Sequence, residues 1–167
     1  MSTNAELHSS LALLFTELVD GATAGAAYML NGGDPGLLQS LDGLSAAAAS
    51  QAPPSGAATI AAHVDHVCYG LELMNRWAGG EPNPWKDADW TASWRRTVVD
   101  EKEWSALRAR LREAAERWRT ALRTPLRTPR DLSAIELNGV IASIAHLAYH
   151  LGSVRQIDRS IRGPSAH

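Results

Sequence analysis

In four separate stretches of this 167-residue chain, apolar residues recur at steps of three and four. No stretch sustains the alternation of a strand. That pattern restricts the fold to packed helices, each burying one stripe. The first stretch covers residues 3–30, with Leu7, Leu11, Leu14, Leu18 and Ala22 on one side, and ends at the breaker "NGGDPG". Residues 37–51 have room for a short helical turn, "LLQSL", before "APPSG" closes a loop. The alanine run 46–49 is too short to assign. A second helix is expected over residues 57–78, with Ile60, Val64, Val67, Leu71 and Met74 inward. A third runs from residue 91 or 93 to 122 on Trp104, Leu107, Leu111, Ala115, Trp118 and Leu122, and "RTPLRTPRD" ends it. The fourth opens at Ser133, with Glu136 three residues on as a capping box, and continues to about residue 161. Its middle is apolar nearly all round, which predicts burial on several sides. Four such helices predict an all-α four-helix bundle, one domain over residues 1–167.

Composition narrows the class of function. Apolar residues make up 45% and charged residues 20%, as in soluble globular proteins, and the net charge of −2 exerts no global pull on nucleic acid or membrane. No uncharged apolar stretch reaches the ~18 residues of a membrane span. The start, "MSTNAELHSS", lacks the basic and apolar regions of a secretory signal. Cys68 is the single cysteine, so no internal disulfide forms, which fits a cytoplasmic location. Residues 108–130 hold eight of the sixteen Lys and Arg residues but two acidic ones. That run reads as a solvated helix face rather than a phosphate site. The expected partner is a small molecule, with no nucleic acid and no membrane.

The histidines carry the chemistry. His8 and His167 lie near the ends and are expected to be solvated. The other four form two pairs, His63 with His66 and His146 with His150. Residues three or four apart share a helix face. His146 and His150 can therefore reach one ion, and one of His63 and His66 can complete a set of three across the helix interface. Three neutral imidazoles leave open positions on a divalent ion, as in reactive rather than structural sites. Spacing alone leaves a second reading open, in which these are hydrogen-bonded core histidines.

Two motifs resemble the DinB/YfiT-like superfamily of metal-binding four-helix bundles. One is "TIAAHVDH", residues 59–66, and the other is "AHLAYHLGSVRQI", residues 145–157. In that family a ligating histidine stands seven positions after the Ser or Thr that starts the helix, which is His66 counted from Thr59. The resemblance thus implies the ligands His66, His146 and His150. It also implies zinc or nickel as the metal, and a homodimer. The chemistry it implies is transfer to or from a low-molecular-weight thiol. Hydrolysis and a non-catalytic metal- or ligand-binding module are the alternatives. Ser153 stands where many members have Gln, and Gly152 comes one position late, so a shared substrate contact at that turn does not carry over. His63 supports a ligand, lines the pocket, serves as a spare ligand, or is a buried histidine bonded to a neighbour.

Other residues are read against this site. Tyr149 lies between the two histidines and either donates a hydrogen bond or packs. Asp65, Glu72 and Glu136 are candidate acceptors for imidazole N–H groups. Cys68, two positions past His66, lies about 200° around the helix and reads as a buried small residue. Trp77, Trp85, Trp90, Trp94 and Trp104 either wall a pocket or pin the loop after the second helix, and pinning is the favoured reading.

Overall fold

Helices form where the stripes fall: α1 (Thr3–Asp20), α2 (Leu37–Asp42), α3 (Ala46–Ser50), α4 (Ile60–Ala78), α5 (Glu101–Arg123) and α6 (Ala134–Ile157). The computed structural model describes residues 3–23, 25, 27–123 and 133–161. Most of "RTPLRTPRD", together with Arg127, Arg130 and His167, lies outside the described residues. The fold is all-α, and among the described residues no strand forms. The four long helices pack in a ring, α1 on α5, α5 on α4, α4 on α6 and α6 on α1. The connection from α1 to α4 therefore crosses between opposite corners, and α2 and α3 sit on it.

The inner stripes of α4 and α5 are buried as the periodicity predicts, from Ile60 to Met74 and from Trp104 to Leu122. Polar ties fix the helices in register. Trp104 donates from Nε1 to the Leu44 carbonyl at 2.8 Å, Trp118 to Ser143 Oγ at 3.1 Å, and Asn75 to the Ala114 carbonyl at 2.9 Å.

Four expectations need correction. First, α1 stops at Asp20, not near residue 30. The buried carboxylate of Glu17 accepts from the backbone N–H groups of Tyr28, Met29 and Leu30, at 2.7–3.1 Å. These bonds fold the chain back across the helix end. Gly21, at φ +112, makes the turn, and an anion buried with several N–H donors is satisfied where a lone one is not. Second, α5 begins at Glu101, about ten residues later than expected. Asp100 and Glu103 cap each other's backbone N–H groups at 2.9 and 2.8 Å. Ahead of them lie a short 3₁₀ turn (Ala92–Trp94) and an irregular crossing. Third, α6 ends at Ile157 and is not buried on several sides. Ile135, Asn138, Ala142, Ala145, Tyr149, Gly152 and Gln156 form an exposed face opposite the core stripe. In addition, His8 is buried rather than solvated, with Nδ1 3.3 Å from the Leu122 carbonyl.

The Arg-rich face of α5 is held by ion pairs. Arg108 and Arg112 reach Asp42, and Arg119 reaches Asp20. Among the described residues no helix is long and apolar enough to cross a membrane.

The start of α2 packs tightly on the end of α1. A Cβ at Gly36 would collide with the backbone of Val19 and Gly21. Backbone cannot yield as a flexible side chain does. Gly36→Ala is therefore expected to destabilise the fold by about 1–3 kcal/mol, read as a lower urea midpoint at unchanged slope.

Candidate functional site

The site begins with the cap of α4. Thr59 is buried, accepts from Ala62 N–H through its side chain, and donates to the Thr97 carbonyl at 2.8 Å. This sets the helix phase against the crossing that precedes α5. Seven residues on, His66 faces α6, where His146 and His150 stand one turn apart. His66 Nε2 lies 3.1 Å from His146 Nε2, and His150 Nε2 lies 2.9 Å from the same atom. One ligand nitrogen from each of the three falls within 4.8 Å of the others.

The protein fixes which nitrogens face inward. Ser93 Oγ donates to the Trp90 carbonyl at 2.7 Å, so toward His66 it can only accept, and it takes the Nδ1–H at 2.8 Å. The Nε2 of His66 is thus a lone pair pointing into the cluster. His63 Nδ1 lies 2.8 Å from His150 Nδ1. When His150 donates there, its Nε2 is a lone pair as well. A single proton on His146 Nε2 can lie along only one of its two short lines, so neutral imidazoles cannot satisfy all three atoms. A shared cation can. Nitrogens about 2.0–2.1 Å from a tetrahedral ion lie about 3.3 Å apart, close to the 3.1 and 2.9 Å seen. The donor set fits a divalent metal.

Aromatic rings seal the cluster. Trp94 stacks on His66 with centroids 4.2 Å apart, and Trp90 tilts against it at 5.5 Å. Tyr69 on α4 anchors this loop by accepting the Asp89 N–H at 2.9 Å. The tryptophans divide their roles. Trp77 and Trp104 are buried in the core, whereas Trp85 and Trp90 wall a cavity of about 360 Å³ that reaches His146.

The candidate acceptors fall elsewhere, whereas Tyr149 and Ser153 line one cavity with His63. Asp65 and Glu72 do not meet imidazoles. Glu72 takes Arg110 of α5 through both oxygens at 2.6 and 2.7 Å, and Asp65 takes the same guanidinium at 2.8 Å. Glu136 closes the capping box with Ser133. Tyr149 is exposed and touches His150 edge to face at 5.1 Å. Ser153 donates to the Tyr149 carbonyl and lines a separate cavity of about 670 Å³ with His63 and Trp94. Cys68 is buried against α5, and burial pushes its thiol up to about 12, which leaves it without a thiolate for ligation or attack. Ser93 was not legible as a partner of His66, since nothing in "TASW" marks it.

A model of the DinB superfamily matches residues 35–154, well over half of the chain. The chain belongs to the DinB superfamily. The match spans the two helices that carry the cluster, α4 and α6 up to Val154, and leaves α1 outside. No curated protein and no solved structure matches the chain significantly. In this DinB-superfamily protein the three-histidine cluster thus lies inside the matched region.

Burial holds the cluster neutral. Desolvation, reinforced by the neighbouring histidines, lowers His66 to about 4 and His150 to about 3, and desolvation lowers His63 and His146. The unfolded chain binds protons near 6.5 that the folded metal-free chain refuses, so folded stability falls as pH drops below that value. Between pH 6.5 and 5 the unfolding free energy of metal-free protein should decrease, and the slope should be shallower in His150→Asn. Denaturant titrations at stepped pH measure both.

Proposed function

We propose that His66, His146 and His150 hold a divalent metal ion, zinc or nickel, for a metal-dependent enzyme acting on a small molecule with a low-molecular-weight thiol. The observation that carries this reading is the convergence of three inward nitrogens, of which that of His66 is held as a lone pair by Ser93. When bound, such an ion supplies positive charge that favours the thiolate over the thiol near neutral pH.

The protein's own residues do the rest. Ser93 and His63 hold His66 and His150 from behind, which keeps each ring in one tautomer and orientation. Trp94 and Trp90 exclude water from one flank. Among the described residues lining the cavity at His146, none carries a carboxylate. The same ion would favour hydroxide over bound water, so hydrolysis is the enzymatic alternative. A non-catalytic module remains the reading if no thiol or ester substrate turns over.

The same proposal places the protein in the cytoplasm and treats residues 1–167 as one unit. It also takes the protein as a homodimer. The exposed residues of α6, Ile135, Asn138, Ala142, Ala145, Tyr149, Gly152 and Gln156, are spaced alternately three and four apart. That is the spacing of a helix–helix seam, and its small residues allow close approach. Ile135 at 84% and Tyr149 at 68% exposure are large apolar groups left in water by a lone chain.

Elemental analysis after chelator-free purification should find about one metal per chain in the wild type and none in His146→Ala. Ser93→Ala should retain the fold but bind metal roughly 10–100-fold more weakly in competition with a chelating dye. A panel of thiols with an electrophile should turn over only with metal present. Wild type without metal, and without uptake, overturns the proposal. Ala145→Glu should convert a dimer to a monomer by light scattering while leaving metal content unchanged.

A further inference from the structure

The cavity at His146 does not end there. Met74, Trp85 and Gly139 belong both to it and to a second cavity of about 550 Å³ farther along α6. The two form one groove between α4, α6 and the tryptophan loop. Its far end lies at the first turn of α6, beside Ser133 and Glu136. Ten residues of helix separate Glu136 from His146, so the groove follows α6 for about 15 Å. Val67, Met74, Trp85 and Trp90 make its walls apolar. Among the described residues lining it, none is a Lys or Arg, and the one formal charge is the carboxylate of Glu136.

We propose that this groove binds an uncharged, elongated apolar moiety, aryl or medium-chain alkyl, with the reacting end of the molecule at His146. Its size falls within the range of small-molecule sites, which are apolar clefts with few polar groups. Along the walls an anionic arm meets no cationic side chain and one carboxylate, so charge there selects against it, and the proposed metal stands only at the reacting end. The tryptophan faces offer flat apolar surface to a ring or an extended chain. The placement of the reacting end rests on the proposed metal function, whereas the binding of the apolar arm does not.

Gly139 determines how much space the groove has. A Cβ built there meets nothing within 4 Å. A larger side chain therefore enters the shared stretch without straining the helix, and replacing a helical glycine favours the folded state. The test is titration of the full chain with the neutral fluorophore N-phenyl-1-naphthylamine, with and without zinc. Saturable binding is expected at about one probe per chain. Gly139→Leu should weaken it at least tenfold without a lower melting temperature. Ser55→Leu, in the separate cavity beside His63, should leave it unchanged. In the metal-free protein an anionic sulfonate analogue should bind at least tenfold more weakly than the neutral probe. His150→Ala should lose the metal yet keep the probe, so failure of the metal site and failure of the groove are read separately. Absence of saturable binding, equal affinity in Gly139→Leu, or equal affinity for the sulfonate would overturn the proposal.

Discussion

The seam between α4 and α6 carries the three-histidine cluster, because among the described residues only there do imidazoles from different parts of the chain meet. His146 and His150 share a helix and would be near each other in any fold that kept α6. His66 joins them only because the two helices are neighbours in the ring and because the Thr59 cap sets the phase of α4. A shift of one residue in that helix turns its side chains by about 100°. His66 would then leave the cluster and Asp65 or Val67 would take its place. The bond from Thr59 to the Thr97 carbonyl ties that phase to the same chain segment that delivers Ser93 and Trp94.

The acidic residues of α4 are drawn away from the cluster. Asp65 and Glu72 both face α5, where one guanidinium, that of Arg110, gathers them. The imidazoles are left with neutral partners, a serine oxygen and another imidazole. Neutral support keeps the three imidazoles uncharged, so an ion bound as proposed would retain its full charge. The division follows the helix faces: one face of α4 carries carboxylates tied to α5, and the next carries the imidazoles that meet α6.

Much of this was legible in the sequence, and the gaps have physical causes. The cap of α6 was readable because the Ser133–Glu136 pair acts locally, whereas α4 was expected from residue 57 and starts at Ile60 behind the Thr59 cap. The four central histidines were readable because helical spacing alone places them on shared faces. The end of α1 was not, since "GATAGAAYML" suits a helix and only the tertiary capture of its N–H groups by Glu17 unwinds it. The start of α5 is marked by Asp100 and Glu103, a reciprocal cap that lies past the start expected at residue 91 or 93. The outer face of α6 was not legible because an apolar helix that buries several sides and one that keeps an exposed second stripe share one composition. Ser93 carries no spacing signal, since its role depends on where a loop of irregular backbone comes to rest.

The stacking of Trp94 on His66, at 4.2 Å and 23° between planes, has an optical consequence. An indole this close senses any change of charge on the imidazole beneath it. The intrinsic emission of the protein therefore contains a built-in, label-free gauge of what His66 is bound to.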